Sequence, residues 1–272
     1  MSIIKKQLAI LKSVAFVTYK EWAAYRTHSM VSIFVGPVYF LVQYYIWTAV
    51  YGDGGTLAGM ELSQTIRYFG VTALIGYLTM DFADWNLQML IRTGKYLTFA
   101  LRPLNHSFFA LSQKVGHRFL GFYIEFIPCF IIFTLLFRIN MIPESIGWTI
   151  ISVALAFLMN FYVNYTLGMT AFWLVDSNGI RHMFSLVSAF FSGGLIPLVF
   201  FPNWLQNIQF FLPFQYVLYV PAMVWTGNYS LGGITMSIPH IVALQALAVI
   251  SMIIISKVVN HFAIKRFTGV GA

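Results

Sequence analysis

Residues 29–51 carry no charge, and apolar runs of similar length recur along the chain. They are continuous rather than alternating at period two, so they predict helices and not the strands of a barrel. At roughly 20 residues per crossing, the pattern gives six spans, at 29–51, 66–85, 117–137, 147–174, 183–201 and 238–261. In the second, Arg67 stands near one end, with Asp81 and Asp84 near the other. A rise of about 1.5 Å per residue sets Arg67 and Asp84 roughly 26 Å apart, close to the thickness of the hydrocarbon, so each charge reaches an interface.

Ahead of the spans, Ile4, Leu8, Leu11, Ala15, Tyr19 and Trp22 recur at steps of three and four, with Lys5, Lys12 and Lys20 off that stripe. The spacing predicts an amphipathic helix over 1–27 lying on the membrane surface. A signal peptide is the other reading, but Lys12 interrupts its apolar core and no small-residue cleavage site follows.

Between His182 and Lys257 there is no Asp, Glu, Lys or Arg, yet Gly193, Gly194 and Pro197 interrupt the apolar run. These residues loosen or end a helix. Pro202, Pro213 and Pro221 then delimit two segments too short to cross, which predicts a hairpin over 202–235 that re-enters the membrane or lies at its outer interface. Its freed backbone groups need protein or water partners. Phe214 follows Pro213, and Trp204, Tyr216, Tyr219, Trp225 and Tyr229 suit an interfacial belt. Sequence physics leaves two roles open for this hairpin: packing the helices together, or closing a path from outside.

Composition agrees with the pattern. The 272 residues are 59% hydrophobic and only 9% charged, with a mean hydropathy of +0.78, far from the roughly one-quarter charged residues of soluble domains. The class is an all-α integral membrane protein forming a single transmembrane unit, 1–272. Its net charge of +8 is decided by location: 14 of the 16 Lys and Arg residues fall on one side of the six spans, leaving Arg67 and Arg138 on the other. That asymmetry places both termini in the cytoplasm and makes membrane lipid, not nucleic acid, the partner of the bases.

Candidate chemistry is sparse. Gly94-Lys95 resembles part of a phosphate-binding loop, but Tyr96 follows it and Met89 stands where the first glycine belongs, so the motif fails at both ends. The one cysteine, Cys129, lies in an apolar run, and the six histidines have no metal-ligand spacing, so no cofactor or metal site is expected in this chain. Glu125 is the carboxylate deepest in a span, where ionised groups are expensive. It reads as paired with Arg118, seven residues earlier, or with a neighbouring helix; a proton or substrate relay is the other reading. Asn160 and Asn164, four apart on one face, suit hydrogen bonds between helices, with a polar path lining as the alternative.

Four passages carry a resemblance. "GKYLTFALRPLNH" (94–106), "FWLVDSNGI" (172–180), "FFSGGLIPLVFFPNWLQ…LPF" (190–214) and "KRFTGVG" (265–271) together resemble the membrane subunits of ATP-binding cassette exporters of the type-2 permease class, in a six-span bacterial branch without a nucleotide domain of its own. Tyr96 departs from that branch's usual spacing. The resemblance implies a permease of the bacterial cytoplasmic membrane that moves substrate outward. Two copies of a separate ATPase subunit would supply the energy, holding ATP and Mg, and a second permease chain, identical or related, would complete the path. It implies a coupling loop over 86–106, in which Gly94, Lys95, Tyr96, Leu97, Leu101, Arg102 and Pro103 meet the ATPase through a short helix. It also implies an outer gate formed by Gly193, Gly194, Pro197, Pro202, Pro213 and Phe214. A proton-coupled secondary transporter and a lipid-modifying membrane enzyme are the alternatives.

The charge asymmetry makes one prediction by itself. Green fluorescent protein fused after Ala272 fluoresces and alkaline phosphatase fused there is inactive; an active phosphatase at that position contradicts the orientation.

Overall fold

Why the apolar runs become helices follows from their setting: in hydrocarbon each N–H and C=O must be satisfied within its own segment. A computed structural model of the chain describes residues 3–24, 31–52, 54–101, 104–174 and 177–266. Its elements in order are α1 (Ile3–Ala24), α2 (Val35–Tyr51), α3 (Leu62–Thr79), α4 (Ala83–Arg92), α5 (Tyr96–Ala100), α6 (His106–Leu136), α7 (Ile146–Phe172), α8 (Asn178–Phe191), α9 (Asn203–Phe211), α10 (Tyr219–Thr226) and α11 (Ile238–Lys265). Two small antiparallel hairpins, β1 (Thr56–Leu57) with β2 (Met60–Glu61) and β3 (Tyr229–Leu231) with β4 (Ile234–Met236), are the departures from an all-helical chain. Among the described residues, α6, α7 and α11 are long and apolar enough to cross a membrane. The three other expected spans coincide with the shorter helices α2, α3 and α8.

Several boundaries differ from those expected. The helix expected over 66–85 is two helices, because the chain leaves the helical path at Met80 and Asp81 Oδ1 accepts from the backbone N–H groups of Phe82 and Ala83 (2.8 and 3.2 Å). Those bonds supply an acceptor for the free N–H donors at the start of α4, as an aspartate at a helix N-terminus does. The third helix starts at His106 rather than 117, with Asn105 accepting from Ser107 N at its cap, so Lys114 belongs to a helix and not to a loop. It widens into π turns at Phe122–Phe126 and Ile132–Leu136. The fifth, α8, stops at Phe191, about 21 Å from its start and short of a full crossing. Pro221 does not end a segment; it lies in the first turn of α10, where the missing N–H is tolerated.

Two clusters form the core. The larger gathers Phe40, Tyr68, Phe69, Phe133, Tyr219 and Trp225 with their neighbours. The smaller, at the end carrying α5, gathers Leu87, Ile91, Tyr96, Phe161, Tyr165 and Phe172. α7 packs against α11, α4 and α10, and α2 packs against α3. Burial of apolar surface does not drive helix association in lipid; close packing and interhelical hydrogen bonds do. Buried Gln245 shows the second: Ser152 Oγ donates to it (2.7 Å), and its Nε2 donates to Ser152 O and Tyr216 O (both 3.0 Å). Gly116 shows the first, since a Cβ there would collide with the backbone of Ala15 where α1 crosses α6. The exposed aliphatics Leu135, Leu136, Ile150, Leu186 and Leu247 would be a liability in water but suit a hydrocarbon solvent.

Gly116→Ala therefore lowers thermal stability in detergent, at a cost of about 1–3 kcal/mol for overpacking a backbone contact. Gly147→Ala, with nothing within 4 Å of the added Cβ, leaves the melting temperature unchanged or slightly raised. Equal melting temperatures for the two variants contradict the close α1–α6 crossing.

Candidate functional site

The short helix α5 sits between α4 and α6, entered through Gly94 at φ +70°. Its residues sort by side. Tyr96 is buried, its ring 5.1 Å from Phe172 and 5.4 Å from His106. Phe99 lies 4.9 Å from His106 and 5.1 Å from Phe109. His106 Nδ1 is 2.9 Å from Tyr165 Oη on α7, which ties the first residue of α6 to the same aromatic cluster. Burial pushes the Tyr96 phenol above its ordinary value. On the other side Lys95, Leu97 and Leu101 are exposed, Leu97 by 50% and Leu101 by 79%. A helix of five residues cannot hold itself in water, so the aromatic anchor fixes it while two leucines four apart face outward. Arg102 and Pro103 lie outside the described residues.

Above this end, α2, α3, α7 and α8 enclose a cleft of about 550 Å³. Asn160 and Asn164 both line it: Asn160 Nδ2 donates across to Thr79 O at the end of α3 (2.7 Å), and Asn164 Nδ2 donates to Asn160 Oδ1 on its own helix (3.1 Å). Glu125 is not among its lining residues. It is buried beside Arg118 Nη1 at 3.2 Å and accepts from Ser32 Oγ at 2.6 Å, so its carboxylate stands in the paired arrangement.

At the cleft's far end α8 breaks. Gly193 takes φ +83°, conformational space that suits glycine alone, and an added Cβ would lie 2.5 Å from Tyr68 Oη. Three carbonyls just beyond the helix end are each taken. Ser192 O accepts from Tyr219 N (3.0 Å), Gly193 O from Tyr68 Oη (2.8 Å), and Gly194 O from Tyr39 Oη. Pro197 leads into a 3₁₀ turn, Pro202 precedes α9, and Pro213 begins another 3₁₀ turn. Phe214 sets its ring 5.5 Å from Phe184 and 6.2 Å from Phe191, clasping α8 from the side. Gly193, Gly194 and Phe214 thus gather at one break, while α5 does not line the cleft.

Sequence reasoning missed the charge layer between them. Lys114 Nζ stands 2.6 Å from Asp81 Oδ1, both nearly inaccessible, and Arg181 Nε stands 3.4 Å from Asp84 Oδ2. These pairs separate the cleft from a second groove of about 740 Å³ between α1, α4, α5 and α6; Asp81, Phe82 and Arg181 border both. Asp81 followed by Ala83 and Asp84 was the available signal for a helix start. Nothing local to Lys114 marks it as buried. Among the described residues no three His, Cys, Asp or Glu side chains are placed to hold a metal ion.

A family model described as ABC-2 family transporter protein matches residues 38–271, most of the chain. No curated protein matches it.

The buried pair gives a prediction. Lys114→Met strands Asp81 and destabilises the protein by about 3–5 kcal/mol, whereas Asp81→Leu with Lys114→Met recovers most of that loss. Unfolding in mixed micelles measures both; a single variant as stable as the parent contradicts the pairing.

Proposed function

The chain belongs to the ABC-2 transporter family, and from that premise we propose that it is the permease subunit of an exporter powered by ATP hydrolysed in a separate subunit. The family match is the observation that carries this reading, and α5 supports it in detail. Its place beside the basic loop puts it in the cytoplasm by the charge rule. Outward-facing Leu97 and Leu101 offer an apolar contact for an ATPase cleft, and the Tyr96, Phe99, His106 and Tyr165 cluster connects that contact to α6 and α7. A push on α5 therefore reaches two long helices without bending the short one.

In the assembled transporter two ATPase copies, carrying ATP and Mg, dock beneath two permeases, and the second permease closes the open side of the cleft. Both termini face the cytoplasm of a bacterial cell. The break at Ser192–Gly194 is the outer gate: three hydrogen bonds hold it shut, each individually modest, so a few kcal/mol opens it. Proton coupling would rest on Glu125, whose carboxylate is already engaged by Arg118 and Ser32.

Co-expressed with its ATPase, the chain carries that subunit through affinity purification. Leu101→Asp weakens the association about tenfold or more, equivalent to ~1.4 kcal/mol, and ATP-driven export falls with it. Export that persists with no ATPase bound refutes the proposal.

A further inference from the structure

The cleft has a chemistry of its own, and it is set mostly by α8. Along that helix and its end, Arg181, Ser185, Ser188 and Ser192 recur at steps of four, three and four, and all line the cleft. Such spacing puts them on one helical face. Met183, Leu186, Val187 and Phe190 occupy the rest of the surface and are exposed away from the core. Thr72 on α3 and Asn160 and Asn164 on α7 add polar groups to the same lining. Apolar side chains, among them Val35, Leu167 and Phe184, complete it.

Two features narrow what fits. First, the acidic groups on its floor are matched by bases: Asp81 by Lys114 at 2.6 Å and Asp84 by Arg181 at 3.4 Å. No uncompensated formal charge is left there to replace the hydration an ionic head would lose. Secondly, two residues that border both this cleft and the second groove each hold a buried polar atom, Asp81 Oδ2 and Arg181 Nη1, with no partner in the protein among the described residues. One is an acceptor and the other a donor. A wholly apolar ligand would leave both unmet and cover the serines and asparagines as well. A group that gives and takes hydrogen bonds, as hydroxyls and amides do, answers both.

We propose that this cleft is the chamber for an amphiphile whose head is uncharged and rich in hydroxyl or amide groups, with the serine face of α8 setting the preference. A volume of about 550 Å³ is within the usual range for small-ligand sites. The chamber holds the transported substrate if the chain is the permease argued above; occupancy of the cleft itself needs no ATPase.

Cysteine protection tests it on the full chain in nanodiscs. Ser188→Cys and, as a second position, Ser185→Cys are labelled with a methanethiosulfonate reagent; native Cys129 is fully buried. Three decyl probes are added below their micellar concentrations: the glucoside, the trimethylammonium salt and the sulfate. The glucoside slows labelling at either serine position threefold or more, the two charged probes do not, and Leu186→Cys on the outer face is protected by none. Protection by a charged probe equal to or stronger than that by the glucoside overturns the assignment, as does an absence of glucoside protection at both serines. Glucoside protection in a chain that recruits no ATPase supports the chamber and sinks the exporter reading alone.

Discussion

A carbonyl left outside regular structure and shut away from water must find a partner within the protein, and the arrangement around the end of α8 follows from that constraint. The helix stops after only 14 residues, and the carbonyls of Ser192, Gly193 and Gly194, which follow it outside the helix, also need partners. Tyr68 and Tyr39 supply hydroxyls from two other helices, and the backbone of Tyr219 supplies the third donor. The break is thus held by residues from α2, α3 and α10 together. Relative movement of any of those helices withdraws a donor from the break.

Charge obeys the same constraint at the other end of the cleft. Lys114, Arg118 and Arg181 sit where isolated ions are costly, and each faces a carboxylate: Asp81, Glu125 and Asp84. Such pairs contribute less to stability than they would lose if separated. Their value here is positional. Lys114–Asp81 ties α6 to the start of α4 and Arg181–Asp84 ties α8 to α4, while Arg118–Glu125 lies within α6.

How much of this was legible depends on the range of the signal. Apolar run length and charge-free stretches located each long helix, and Gly193 with Pro197 marked the break, because those are local properties. A short helix just after Gly94-Lys95 followed from resemblance, not from periodicity. The interruption at Met80 was hidden because Asp81 reads equally well as an interfacial charge and as a helix-starting acceptor. Lys114 in a loop and Lys114 in a helix have the same sequence; only packing against Asp81 decides. Tyr39 and Tyr68 were invisible for a different reason: among 15 tyrosines nothing local separates a membrane-interface ring from one whose hydroxyl caps a distant carbonyl. The expectation for Glu125 needed only the seven-residue spacing to Arg118, and the observed 3.2 Å pair matches it.

We propose that ATP binding in a partner subunit, felt through α5, releases the break at the end of α8. Hydrogen–deuterium exchange on the assembled transporter measures this directly, comparing the nucleotide-free complex with one trapped by a hydrolysis-deficient ATPase and ATP. The account predicts faster exchange at the amides of Ser192 and Tyr219 in the trapped state, with the α11 amides around Gln245 unchanged. Equal protection at Ser192 and Tyr219 in both states, in a complex that transports, would contradict it.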